Sequence, residues 1–290
     1  MSDPAASPEK LHADQVAFWR GEGGALWLDR DARIESRLKP LGEHALRAAA
    51  ARPGERAIDI GCGLGHTTLA LARSVGPTGH VLGADLSPDM IAEASRRAAS
   101  AGLAHARFAA ADASTHDFGP EAADLLFSRF GVMFFGHPEA AFANLRRGLK
   151  PGGRVTLLVW RPVKENGWMF VPFMAAIPHL PPMPRPNQGD PGPFSLSDPD
   201  RARRVLGAAG FVDVNLDRVD DTMSLSDGPL EDAVRTAIDM GPLARPLRQA
   251  DEATRARVAD AIQSALAKHL TAEGVRLPAA CWLLTARNRG

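Results

Sequence analysis

The chain has no tyrosine and only two cysteines, Cys62 and Cys281, among its 290 residues. The first absence excludes a phenolic base and leaves His, Asp, Glu, Lys, Cys or water for any proton transfer. The second argues against a disulfide framework. An excess of charge is also missing: 34 basic side chains balance 34 acidic ones, so no global field recruits nucleic acid or an anionic membrane. Apolar runs such as Val155 to Trp160 fall far short of the roughly 20 residues that a spanning helix needs. No basic flank precedes an apolar core at the N-terminus, and the expectation is a cytoplasmic protein without a membrane span. No His/Cys/Asp cluster has zinc spacing, so no metal is predicted. A Gly-x-Ser-x-Gly elbow and a Gly-Lys-Ser/Thr loop are absent too, which lowers hydrolase and nucleotide-hydrolysing readings.

What is present alternates. Short apolar runs at Arg56 to Ile60, His80 to Asp85, Ala106 to Ala111, Ala123 to Phe127 and Arg154 to Trp160 read as parallel strands. Helix-length segments at His66 to Ser74, Pro88 to Ser100 and Glu139 to Leu149 lie between them, the second with Ser87 as N-cap and Pro88 at the first helical position. A turn at Lys150-Pro-Gly-Gly closes the last of these helices. Residues 1–10 read as a disordered lead-in, and 11–51 as two or three helices interrupted at Gly21 to Gly24 and at Pro40. Within 161–197, residues 172–193 carry eight prolines, which predicts an ordered loop or lid without regular structure. The rest of the sheet is expected in 198–290, with a helix at Asp198 to Ala209, a strand at Val212 to Leu216, a helical cap at 230–272 and a closing strand at Ala280 to Arg287.

The motif with most chemical content is Asp59-Ile-Gly61-Cys-Gly63-Leu-Gly65, between a strand and a helix. Its glycines admit positive φ and let a ligand approach the backbone. A dinucleotide fingerprint would place its third glycine at position 66, where this chain has His66. Asp85 ends the next strand 20 residues beyond Gly65, where a carboxylate can accept from both hydroxyls of a ribose or cap the following helix. Asp112 ends the third strand and is either an acceptor for an adenine amino group or a turn residue.

These residues resemble the class I methyltransferases that depend on S-adenosylmethionine (SAM), and more closely the group that includes the ubiquinone and menaquinone biosynthesis methyltransferases. The resemblance rests on ERAIDIGCGLGHTT, VLGADLSPDM, AAADAS, DLLFSRFGVMFF and LKPGGRVTLLVW, in that order within residues 52–160, the expected SAM-binding core. FWRGEGGALW and GVRLPAACWLLTARN on the flanks are similar to segments of uncharacterised bacterial members. The resemblance implies an α/β, Rossmann-like fold with a seven-stranded, mostly parallel sheet of order 3-2-1-4-5-7-6, its last strand antiparallel, under a helical and loop cap. It implies that Gly61, Gly63 and Gly65 lie under the amino-acid end of SAM, Asp85 holds the ribose, and Leu86 and Met90 flank the adenine. It also implies that Asp112 and Ala113 read the adenine edge, Ser128 and Arg129 sit beside the methionine moiety, and Asp59 ties to the SAM amino group through the loop or a water.

His66 departs from the small residue more usual there, and His137 follows FSRFGVMFFG just before Pro138, which makes it a candidate base or else a solvated or capping histidine. Trp19, Trp27, Trp160 and Trp168 are candidate walls for an apolar or aromatic acceptor or ordinary core residues. Arg33, Arg161 and Lys164 are either carboxylate ligands or a solvated face. The resulting expectation is methyl transfer from SAM to a small-molecule acceptor, at carbon or oxygen ahead of nitrogen or sulfur, with S-adenosylhomocysteine as product and no nucleic-acid partner. Two other readings stand beside it. One is a SAM-binding regulator or non-methylating SAM-fold protein, and the other is an NAD-type Rossmann oxidoreductase.

Overall fold

A computed structural model describes residues 7–182, 187, 189–239 and 243–289. The described chain divides into two units, the first comprising 7–160, 189–219 and 282–289 and the second 161–182, 187, 220–239 and 243–281.

The strands β1 (Arg56–Ile60), β2 (His80–Asp85), β3 (Ala106–Ala110), β4 (Ala123–Arg129), β5 (Leu149–Trp160), β6 (Phe211–Ser226), β7 (Leu270–Thr271) and β8 (Gly274–Asn288) form one sheet of order β3-β2-β1-β4-β5-β8-β6, with β7 paired only to β8. Leaving out the two-residue β7, this is the expected order. β1, β2, β3, β4 and β5 pair in parallel, so their carboxyl ends share one edge. β1 and β4 are buried almost throughout, as parallel strands covered on both faces must be.

In the first unit the helices are α1 (Pro8–Arg20), α2 (Glu22–Asp29), α3 (Asp31–Ala49), α4 (His66–Val75), α5 (Pro88–Ser100), α6 (Pro138–Arg147) and, after the second unit's α7 (Gly167–Ala176), α8 (Pro199–Ala208). α5 follows the expected design: Ser87 Oγ accepts from the Met90 amide at 3.4 Å, and Met90, Ile91, Ala94 and Ala98 bury one stripe.

Several expectations need correction. The lead-in expected over 1–10 falls partly on 1–6, outside the described residues, while α1 starts at Pro8 because Ser7 caps it, accepting from the Lys10 amide at 3.3 Å. Gly23, Gly24 and Pro40 lie inside α2 and α3 and do not interrupt them. The Lys150 to Gly153 turn is a four-residue excursion within β5, between the pairings Ala123↔Leu149 and Leu125↔Arg154.

The second unit holds α7, α9 (Leu230–Asp239), α10 (Ala244–Gln249), α11 (Glu252–Leu266) and β7. α11 packs on α7 and α9 through Val258, Ile262 and Leu266. The proline-rich insert is thus not wholly irregular: α7 runs through Pro172 to Ala176. One lost backbone bond is offset there by the burial of Trp168, Met169, Pro172 and Ala176. Residues 183–186 and 188 of the insert lie outside the described residues.

Candidate active site

The carboxyl ends of β1 to β4 carry Asp59, Asp85, Asp112, Ser128 and Arg129, each held by hydrogen bonds. The turn after β1 has Gly61 at φ +65°, Gly63 at +53° and Gly65 at +82°. The Gly61 and Cys62 amides donate to Ala84 O at 2.8 and 3.1 Å, which fastens the turn to β2. Gly61 has a packing reason as well, since a Cβ there would stand 2.5 Å from Gly131 Cα. A Cβ on Gly63 meets only Met90 Sδ, at 4.0 Å, so that stretch of backbone is open to a ligand.

Asp59 is fully buried. Its Oδ2 accepts from the Thr67 and Thr68 hydroxyls, both at 2.7 Å, while Oδ1 is buried with no hydrogen-bond partner among the described residues. Burial raises its carboxyl from 3.8 to about 6, against the threonine hydroxyls and nearby Arg129. Asp85 accepts from the Gly63 amide and the Ser87 amide, each at 2.9 Å, and burial raises its carboxyl too. Leu86 follows at half burial and Met90 is 2% exposed. Burial pushes the Cys62 thiol up, which removes it as a nucleophile.

At β3, Asp112 Oδ1 accepts from the Ser114 amide and hydroxyl at 2.9 and 2.6 Å, and Oδ2 lies 2.8 Å from His12 Nε2 of α1. Ala113 is buried, with its carbonyl accepting from Asn144 Nδ2 at 3.0 Å. At β4, the Ser128 hydroxyl donates to Ile60 O at 2.7 Å, and Arg129 meets Glu35 of α3 with Nη2 at 2.6 Å and Nη1 at 3.2 Å. The next residue, Phe130, holds φ +64° and stacks on Trp160, with centroids 4.2 Å apart. A left-handed, non-glycine residue at a strand end costs about 1–2 kcal/mol, and the stack offsets part of it.

His66 is bound to Asp31 Oδ1 at 2.8 Å, and Arg97 Nη2 donates to Asp31 Oδ2 at 2.7 Å. His137 stands apart from the strand-end network: its ring is 45% exposed, with Glu9 Oε1 at 3.7 Å, and it makes no capping bond to α6. Trp27 belongs to an aromatic cluster with Trp19, Phe18 and Phe134, all edge-on at 5.0–6.0 Å. Trp168 is core of the second unit, 5% exposed beside Met169, Pro172 and Phe173, and its indole N–H donates to Asn166 Oδ1 at 3.3 Å. Arg161, expected to be a carboxylate ligand or on a solvated face, is buried between Glu165 and Asp220, because burial without acid partners would leave its charge uncompensated. His12, Glu35, Thr67 and Thr68 were not singled out from the sequence. The threonines follow the motif directly, whereas His12 and Glu35 meet their partners from 100 and 94 residues away and leave no local signal.

A methyltransferase domain model matches residues 57–153. Aklanonic acid methyltransferase DauC of Streptomyces sp. is 34% identical over 155 residues, which cover 51% of this chain and 70% of DauC. The chain belongs to the class I SAM-dependent methyltransferases. A ubiquinone/menaquinone biosynthesis C-methyltransferase, UbiE of Cupriavidus taiwanensis, is 36% identical over 121 residues, 40% of this chain and 49% of UbiE, so the match spans about half of that relative's length. The crystal structure of YcgJ from Bacillus subtilis superposes with a TM-score of 0.56 at 20% identity, covering 86% of this chain and 99% of YcgJ, which shows the shared fold.

The strand-end residues fit the family's cofactor. Asp59 Oδ1 has no donor among the described residues and is closed to solvent, so the ammonium of an amino-acid end would be linked to it through the loop or a water. The open backbone at Gly63 leaves room for that end of the molecule. Among the described residues no group of His, Cys, Asp and Glu could hold a metal ion, and no helix is long and apolar enough to cross a membrane.

Proposed function

We propose that the protein transfers a methyl group from SAM to a small-molecule acceptor, at carbon or oxygen, in a cytoplasmic setting. The observation that carries this reading is the glycine turn after β1, open at Gly63, whose amide is bonded to the Asp85 carboxylate at the end of β2. Bound SAM supplies an activated sulfonium methyl. In this reading Asp59 is tied to the ammonium through the loop or a water, the backbone of Gly61, Gly63 and Gly65 supports the amino-acid end, and Ser128 and Arg129 flank it. Asp85 accepts from the ribose hydroxyls with lone pairs left over from its two amide bonds. Leu86 and Met90 hold the adenine faces, and Asp112 with Ala113 reads the edge.

The work of the protein is then orientation and exclusion of water, and orientation supplies about 7–11 kcal/mol. Trp27 and Trp160 of the first unit are the proposed apolar contacts for the acceptor, whereas Trp168 is core of the second unit. The names of UbiE and DauC, a C-methyltransferase and a methyltransferase of an organic acid, favour carbon as the nucleophile and an acid as acceptor. A base is needed only for an acceptor that arrives protonated, and His137 would serve there after leaving Glu9.

The test is calorimetric titration with SAM, S-adenosylhomocysteine and NADH, on the protein and on Asp85→Ala. Binding of the two sulfur ligands, weakened more than about tenfold by the substitution, is the expected result, since a hydrogen bond to a charged group contributes about 1.5–3 kcal/mol. Binding of NADH alone would return the chain to the oxidoreductase reading.

A further inference from the structure

Arg129 has more donors than partners. Glu35 engages one N–H of Nη1 and one of Nη2, across the end of the guanidinium. Among the described residues nothing accepts from Nε, and Nη2 has one bond for its two hydrogens. Nε–H and that second Nη2–H point the same way, which is the fork that best grips a carboxylate.

The opposite edge of the guanidinium is set by α3. A Cβ on Gly42 would stand 2.9 Å from Arg129 Cδ and 3.0 Å from Nη1, so only glycine lets the side chain lie there. Arg129 is also close enough to Asp59 to lower its carboxyl's affinity for a proton, and the neighbouring Ser128 is bonded to Ile60 O at the start of the glycine turn. An acceptor without a donor, Asp59 Oδ1, and donors without an acceptor, on Arg129, stand at the ends of neighbouring strands, since β1 pairs with β4 and Asp59 lies opposite Phe127. An α-amino acid zwitterion carries the complementary pair.

We infer that Glu35 and Gly42 are positioning residues for Arg129, holding its Nε–Nη2 edge ready for the carboxylate at the amino-acid end of the donor. The inference rests on the donor site proposed above. Glu35 fixes the plane and rotation of the guanidinium, and Gly42 gives it room against α3.

The experiment titrates the full chain, Glu35→Gln and Gly42→Ala with S-adenosylhomocysteine and with 5′-methylthioadenosine, which keeps the nucleoside and the thioether but lacks the amino-acid end. Both substitutions are expected to weaken S-adenosylhomocysteine about tenfold or more, the effect of losing a charge-assisted bond, and to leave 5′-methylthioadenosine within about twofold. Gly42→Ala guards against a folding artefact: alanine favours the helix, and the group that must yield is the Arg129 side chain, so thermal stability is kept. Equal weakening of both ligands, or an unchanged S-adenosylhomocysteine affinity, would overturn the inference and leave Glu35–Arg129 as a tie between α3 and β4. If the unaltered protein bound neither ligand, the donor site itself would be wrong.

Discussion

At the scale of single residues, Asp59 has the most demanding position. Ionising it places a charge where one oxygen has two hydroxyl partners and the other has none. Its carboxyl is raised from 3.8 to about 6, so between those values the folded chain binds the proton and the unfolded chain does not. The contribution to stability is therefore full below about pH 4 and is lost as pH rises through about 6. Asp59→Asn keeps an acceptor for the threonine hydroxyls without the charge. The substitution is expected to flatten this part of the pH profile and to raise the stability of the ligand-free protein at pH 7 by up to about 3 kcal/mol. Urea unfolding at a series of pH values measures it; an unaltered slope between pH 4 and 6 would mean that Asp59 ionises at no cost. In the same variant, S-adenosylhomocysteine affinity should fall, since the buried charge awaits a cation.

At the scale of elements, α2 meets α5 through glycine. A Cβ on Gly24 would come within 2.5 Å of both Ser87 Oγ and Trp19 O. Ser87 is the cap of α5, and its amide is one of the two donors to Asp85, so the seat of α2 bears on the β2 carboxyl end. Gly24→Ala is expected to destabilise by about 1–3 kcal/mol through overpacking, although alanine in a helix interior is normally better than glycine by about 1 kcal/mol. Thermal unfolding decides it: a gain in melting temperature would show that α2 can move away from α5 freely. α1 makes a comparable approach, with His12 bonded to Asp112 and its backbone against Gly136, where a Cβ would lie 2.4 Å from His12 Cβ.

At the scale of the molecule, every residue assigned to the donor belongs to the first unit. Hydrogen exchange with S-adenosylhomocysteine should accordingly show protection at 59–66, 84–91, 111–113 and 128–131, with exchange in α9 and α11 of the second unit unchanged. Ligand at about 100 times its Kd would add close to 2.7 kcal/mol of stability to whatever unfolds with the site. Protection confined to the second unit would move the donor site away from the glycine turn.

The sequence by itself determined the first strands and the acidic residues that end them, and the family resemblance implied the strand order. β1, β2 and α5 occupy the ranges read from apolar runs and from the Ser87-Pro88 start, because buried parallel strands and capped helices are local patterns. The chain's wrapping around Pro172 was not legible, since packing of Trp168 and Met169 outweighs one absent backbone bond. Nor was the length of β6, which runs on to Ser226 through a mixed run that carries no clean alternation. Only the tertiary structure decided which partners the site residues have. His12 on Asp112, Glu35 on Arg129 and the missing partner of Asp59 Oδ1 depend on approaches between distant segments, and hydrogen bonding at such range leaves no periodicity in the chain.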